Sequence, residues 1–368
     1  MIESRLKSDL DTLRSQAQFR TLEPPSGINF CSNDYLALAH DARLRQALSA
    51  AIAGDIALGG TGSRLLSGHS KAWDELEEEF AEFVGAEAAL FFGSGYAANT
   101  GLLASVLQPH DTVFSDEFNH ASIVDGIRMT RAERVIFPHL DLNVLESALA
   151  GNRTGEKFVI VESIFSMDGD RAPLPALISL CERFGANLIV DEAHATGVTG
   201  RNGRGLAAEA GRGIFATVHT CGKALASAGA FVAGSKTLKE YLINHARTFI
   251  FSTALPPYMA LQVRAALRLA QAADDRRKHL VEMGHLLRKR LKQAGFDARS
   301  SDSQIIPVVL GSNEAALKCA GRLKAAGFGV RAIRPPTVPA GTARLRISLT
   351  SGHSADDIEK LAATIHES

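Results

Sequence analysis

The chain has 368 residues, two to three domains' worth, with 46% hydrophobic and 22% charged residues, a composition that builds an ordered core. Lys plus Arg and Asp plus Glu are each 40, so the formal net charge is zero and gives no bulk attraction to nucleic acid or an acidic membrane. Cys31, Cys181, Cys221 and Cys319 lack the spacing of a disulfide framework or a metal knuckle, and no run nears the ~20 apolar residues of a membrane span, so a cytoplasmic protein without a metal site is expected.

Residues 1–20 fit one amphipathic helix, with Ile2, Leu6, Leu10 and Leu13 three or four apart. Its apolar stripe needs a cover, either the body of the chain or a partner subunit. Pro24, Pro25 and Gly27 break the pattern, and GGTGSRLLSGHS at 59–70 is too glycine-rich for a regular element. A helix follows, with Ser70 as N-cap, Trp73, Leu76, Phe80 and Phe83 on one side and Gly85 as its stop. From 88 to 233 short apolar runs (ALFFGS, DTVFSD, RVIFP, KFVIVES, ANLIVDEAH, AFVAG) alternate with helical stretches. That alternation predicts an α/β fold, a mainly parallel central sheet flanked by helices. A charged helical region at 265–293 precedes strand-like IIPVVL, a helix at 313–326, GVRAI, ARLRISL and a final helix, the pattern of a smaller α+β C-terminal domain. The expected division is an N-terminal helix and arm over 1–40, a large α/β domain over 41–275 and the small domain over 276–368.

In an open parallel sheet, ligands gather where strands end. Asp191 and His194 end LIVDEAH, Glu162 and Ser166 follow FVIV, His120 follows the loop after Asp116, and Ser94–Gly95–Tyr96 follow LFF. A carboxylate closing a very apolar strand is costly unless a cation or hydrogen bonds meet it. The plainer reading of Asp191 is a helix cap. The letters DEAH invite an ATPase reading, but TVHTCGKA at 217–224 has Thr217 for the first glycine of a phosphate loop and Ala224 for its hydroxyl. Lys223 stands in ATVHTCGKALASAG, among small and apolar residues, where desolvation makes an amine nucleophilic; the alternative is a snorkelling lysine. A carboxylate for a pyridine nitrogen, a ring to stack on it and a Schiff-base lysine are the parts pyridoxal phosphate needs. Backbone N–H groups near Gly95 and Tyr96 and the Thr220 hydroxyl would take its phosphate.

This combination resembles the α-oxoamine synthase family, pyridoxal-phosphate enzymes of fold type I that condense an amino acid with an acyl thioester. The stretches that carry the resemblance are CSNDYLALAH, FFGSGYAANTGL, FNHASIVDG, ESIFSMDGDRAPL, IVDEAHATGVTGRNGRG, HTCGKAL and FIFSTALPP, spread over residues 20–355. The tail RAIRPPTVPAGTARLRISL looks most like the member that joins L-alanine to pimeloyl-CoA or pimeloyl-acyl carrier protein in biotin synthesis. The alternative within the family is glycine with acetyl-CoA. The resemblance implies that Lys223 binds the cofactor, Asp191 pairs with its ring nitrogen, His120 stacks on the ring, and Ser166 and His194 approach its phenolic oxygen. It further implies that Gly95, Tyr96 and Thr220 hold the phosphate, joined by Thr253 from the second subunit of a homodimer with shared active sites. Arg20 and Thr337 would meet the acyl substrate, and Asn33 and Arg346 the amino-acid carboxylate. Along ARLRISL the alternation of Leu345, Ile347 and Leu349 puts Arg344 and Arg346 together on the face opposite the core, and leaves open which arginine binds. Cys221, Ala226 and Cys31 depart from the family's usual residues, at positions that touch packing more than chemistry.

Overall fold

The computed structural model describes residues 1–151, 153–296 and 298–367. In chain order its first strands are β1 (Ile28–Asn29), β2 (Ala88–Phe92), β3 (Thr112–Asp116), β4 (Glu133–Phe137), β5 (Lys157–Glu162) and β6 (Ala186–Asp191). There follow β7 (Ile214–Thr220), β8 (Ala230–Gly234), β9 (Ile305–Gly311), β10 (Phe328–Gly329), β11 (Arg331–Ile333) and β12 (Ala343–Ser348). The chain gathers into two compact units, Asp34–Ser166 with Arg171–Arg277, and Met1–Asn33 with Met167–Asp170 and Lys278–Ser368.

The first of these units is built on a seven-stranded sheet of order β2-β8-β7-β6-β5-β3-β4. Five neighbours from β4 to β7 pair in parallel, and β8 runs antiparallel to both β7 and β2. The nearly continuous apolar runs have a plain cause: both faces of the sheet are covered. Phe158, Ile160 and Ile189 pack into one core with Leu102 and Leu103 of the helix Gly95–Val106. Val159, Val161, Leu188 and Val190 pack into the other with Leu174, Leu177 and Cys181 of the helix Leu174–Phe184. Full burial of each such side chain stabilises by ~1.5–3 kcal/mol, which fixes the strand ends in space. The strand β7 is one the apolar-run reading does not pick out, because Thr217 and His219 interrupt it. His219 is buried all the same, its two ring nitrogens at 2.8 Å from the hydroxyls of Thr196 and Thr217.

The helix Lys71–Val84 begins after Ser70 and ends at Gly85, whose φ of 76° is the left-handed cap glycine adopts readily. Residues 59–70 form no helix or strand. The charged stretch 265–293 is two helices, Tyr258–Gln271 and Asp274–Gln293, and the second opens on Asp274 and Asp275, which suit a helix N-terminus.

In the second unit β11, β12 and β9 form an antiparallel sheet with β12 in the middle, and β1 pairs in parallel with β10. The first helix covers Ile2–Ser15, with Ile2, Leu6 and Leu10 exposed. Here the alternation argument for the tail needs correction. Every residue of β12 is buried, so neither arginine lies on an open face. Arg344 is 1% exposed, and its Nη1 lies 2.5 Å from Oδ1 of Asp168. A strand paired on both sides has no solvent edge, and this guanidinium is tolerated there because a buried carboxylate meets it.

Candidate active site

Glu162, Asp191 and Thr220 are the last residues of β5, β6 and β7, three adjacent strands of the large sheet. Parallel pairing brings their C-terminal ends to one edge, the place where such sheets bind ligands. Asp191 is 5% exposed. Its Oδ1 accepts from the N–H of Ala193 at 2.8 Å, the local bond a cap would make, while Oδ2 accepts from Nδ2 of Asn99 at 2.7 Å. The cap reading therefore accounts for one oxygen only. Asn99 also donates to Oγ of Ser122 at 2.9 Å, and Ser122 Oγ lies 2.8 Å from Nδ1 of His120. The N–H of Ser122 donates to the same Nδ1 at 3.2 Å, so that nitrogen is an acceptor and His120 carries its proton on Nε2. A continuous chain of hydrogen bonds thus runs from His120 to Asp191. The desolvating protein around His120 lowers its proton affinity; Asp191 opposes that and Lys223 adds to it. As a residue His120 is exposed, with its ring part-buried where Nδ1 meets Ser122.

Lys223 follows β7, half-buried, with Nζ 2.9 Å from Nε2 of His194. Nδ1 of His194 lies 2.6 Å from the hydroxyl of Tyr35. Ser166 donates its N–H to Oε2 of Glu162 at 3.2 Å. At the other end of the site, Ser94 caps the helix Gly95–Val106, its Oγ accepting from the N–H of Ala97 at 3.1 Å. Gly95 is required by space: a Cβ there would lie 2.6 Å from Cγ2 of Thr220. The helix start and the Thr220 side chain are consequently in direct contact. Tyr96 is exposed and its hydroxyl donates to Oδ2 of Asp125. Thr253 is exposed, and its neighbour Ala254 donates its N–H to the carbonyl of Gly62 at 2.9 Å, against the glycine-rich stretch.

The second unit holds the other four candidates. Nη2 of Arg20 is 3.4 Å from Oγ1 of Thr337, both exposed. Nη1 of Arg346 lies 3.2 Å from Oδ1 of Asn33 and 2.6 Å from Oγ of Ser348. Two residues of the first unit's network, Asn99 and Tyr35, are not among the residues singled out from sequence. Each lies inside a stretch that is, FFGSGYAANTGL and CSNDYLALAH, but carries no strand-end position to mark it. Among the described residues, no three His, Cys, Asp or Glu side chains are grouped to hold a metal ion. Likewise no described helix is long and apolar enough to cross a membrane.

The family model for aminotransferase class I and II matches residues 25–365. The 8-amino-7-oxononanoate synthase of Geobacter sulfurreducens is 44% identical over 378 residues, covering 98% of this chain and 96% of that protein. The same enzyme of Aromatoleum aromaticum is 45% identical over 381 residues, covering 100% of this chain and 98% of that protein. The chain belongs to the 8-amino-7-oxononanoate synthase family. Among solved structures, the 8-amino-7-oxononanoate synthase of Francisella tularensis superposes with a TM-score of 0.81 at 29% identity, over 93% of this chain and 97% of that one. Serine palmitoyltransferase of Sphingomonas wittichii superposes at 0.91, also at 29% identity, over 99% and 96%. Backbone likeness therefore reaches across enzymes with different substrates, and membership of the 8-amino-7-oxononanoate synthase family rests on sequence identity.

Proposed function

We propose that this chain is an 8-amino-7-oxononanoate synthase, condensing L-alanine with a pimeloyl thioester on CoA or acyl carrier protein, with loss of carbon dioxide. Identity of 44–45% to curated synthases over nearly the whole chain carries the substrate assignment. The site fits pyridoxal phosphate on its own chemistry: a lysine amine, a buried carboxylate held by two donors, an imidazole linked to that carboxylate, and a glycine-started helix touching a threonine at a strand end. When bound, the cofactor draws off the electron pair released at the amino acid's α-carbon.

The residues divide the remaining work. Lys223 binds the cofactor and, once free, takes the α-proton on Nζ as general base. Nζ lies within hydrogen-bond reach of Nε2 of His194, whose Nδ1 meets the Tyr35 hydroxyl, and this pair holds the amine in place. Asp191 would keep the ring nitrogen protonated, and Asn99 and the Ala193 N–H, one on each oxygen, hold its carboxyl group in place. His120 offers its ring as the stacking surface, and Ser166 and His194 serve the phenolic oxygen. The N–H groups of Gly95 and Tyr96 and the Thr220 hydroxyl hold the phosphate at the helix N-terminus. Thr253 does the same for the second subunit of a homodimer. Arg346 and Asn33 bind the alanine carboxylate, Arg20 and Thr337 the acyl chain, and the enzyme works in the cytoplasm.

A panel crossing alanine, glycine and serine with pimeloyl, acetyl and succinyl thioesters, read by product mass, tests the assignment. The expected main product comes from alanine and the pimeloyl thioester. A dominant product from glycine and acetyl-CoA would replace this reading with a glycine C-acetyltransferase.

A further inference from the structure

Glu162 has no assigned task, yet it lies in the centre of the site. It is 2% exposed and stands opposite Asp191 in the parallel register of β5 and β6. Neighbouring strands are ~4.8 Å apart and register partners point to the same face, so two carboxyl groups share one buried position. Their surroundings differ. Asp191 is met on both oxygens, by Asn99 and by the Ala193 N–H. Glu162 accepts main-chain N–H bonds from Ser166, at 3.2 Å on Oε2, and from His120, while Oε1 is buried with no hydrogen-bond partner. An ionised carboxylate with one bare oxygen beside a second carboxylate is the costly state, and a proton on Oε1 removes its charge, the larger part of that cost.

We propose that Glu162 is a positioning residue that works as a neutral carboxylic acid, holding the main chain of Ser166 and His120 on the cofactor side while Asp191 alone carries the charge of the pair. The titratable groups that face it are Asp191 from β6, Lys223 from the segment after β7 and His120 from the segment after β3. Burial, reinforced by Asp191 and opposed by Lys223 and the main-chain N–H groups of His120 and Ser166, pushes its acid up to about 8. The division suits the chemistry, since a second anion would compete with Asp191 for the proton on the ring nitrogen.

This inference rests on the reading that Lys223 binds pyridoxal phosphate, and its test separates the two. The infrared spectrum of the apoprotein at pH 7 should contain a protonated-carboxyl stretch that Glu162→Gln removes. In the loaded protein, the visible absorbance of the bound cofactor should titrate with pH at the same midpoint in Glu162→Gln as in the unsubstituted protein. Glu162→Ala, which loses both acceptors, should bind pyridoxal phosphate about tenfold more weakly, and Glu162→Gln should restore the affinity. If Glu162 were ionised, Glu162→Gln would remove a negative charge beside the cofactor, move the titration midpoint by about one unit or more, and leave the infrared spectrum unaltered. That result overturns the proposal, as does full affinity in Glu162→Ala. If Glu162→Ala does not fold, the Glu162→Gln comparison decides. A protein that takes up no pyridoxal phosphate refutes the functional reading, while the infrared band still tests the protonation of Glu162.

Discussion

Arg344 and Arg346 sit two residues apart on β12, and their partners differ: Arg344 meets Asp168, Arg346 meets Asn33 and Ser348. The Arg344 side chain is 1% exposed and its partner Asp168 is 7% exposed, with Nη1 and Oδ1 2.5 Å apart. Nε of Arg344 also donates to the carbonyl of Thr342 at 3.0 Å. The other cation near Asp168 is Arg299, 39% exposed, with Nε at 3.6 Å. Arg344→Met keeps most of the volume and strands the Asp168 charge with only this weaker, solvated partner. Breaking a buried pair from one side costs ~3–5 kcal/mol, because the remaining charge is left without compensation. Asp168→Asn strands Arg344 and should cost a similar amount. The double variant strands neither, so it should lose much less than the two single losses added together. Urea unfolding of the four apoproteins, followed by circular dichroism, measures the cycle. Arg344→Met should also leave alanine saturation near that of the unsubstituted protein. Stability within ~1 kcal/mol of the parent in Arg344→Met, or strictly additive single losses, would refute the argument that this arginine is structural.

Arg346 should behave in the other way: Arg346→Lys keeps the charge and loses the bidentate fork, raising the KM for alanine, and Arg346→Ala raises it further, by roughly ten- to a hundredfold for a lost charged hydrogen bond. Gly95→Ala drives a methyl group to 2.6 Å from Cγ2 of Thr220, so the helix start or Thr220 must shift, and fluorescence titration should find weaker binding of pyridoxal phosphate. His219, buried and held near a pKa of about 3 by desolvation, regains a value of 6.5 on unfolding. The unfolded chain then binds the extra proton, so apoprotein stability should fall by about 1.4 kcal/mol per pH unit from this residue as pH drops from 6.5 towards 3. His219→Gln should flatten that limb in urea unfolding measured at several pH values.

Sequence patterning exposes whatever depends on periodicity and strand ends. Five of the six apolar runs between 88 and 233 are buried strands because a sheet covered on both faces demands continuous hydrophobicity, the sixth being the edge strand β4, whose Ile136 is exposed; Glu162 and Asp191 stand out because a carboxylate ends such a run. The same logic overlooks β7, where His219 and Thr217 satisfy each other inside the sheet and break the apolar signal. It misjudges Arg344, since alternation states which residues share a face and says nothing of a buried partner 176 positions away. Asn99 and Tyr35 escape for a related reason. Each makes a hydrogen bond to a residue far along the chain, to Asp191 and to His194, and no local pattern encodes such a pairing. The N-terminal stripe of Ile2, Leu6 and Leu10 is legible as amphipathic, while its exposure is a fact of the three-dimensional structure alone.

The central claim is that the amine of Lys223, beside His194, is the group that takes the cofactor. Purified protein incubated with pyridoxal phosphate, reduced with borohydride and digested should yield one pyridoxyl-modified peptide, carrying the label on Lys223. Lys223→Ala should yield none. A label on a different lysine in active protein, or catalytic turnover by Lys223→Ala at the rate of the unsubstituted chain, would contradict the account.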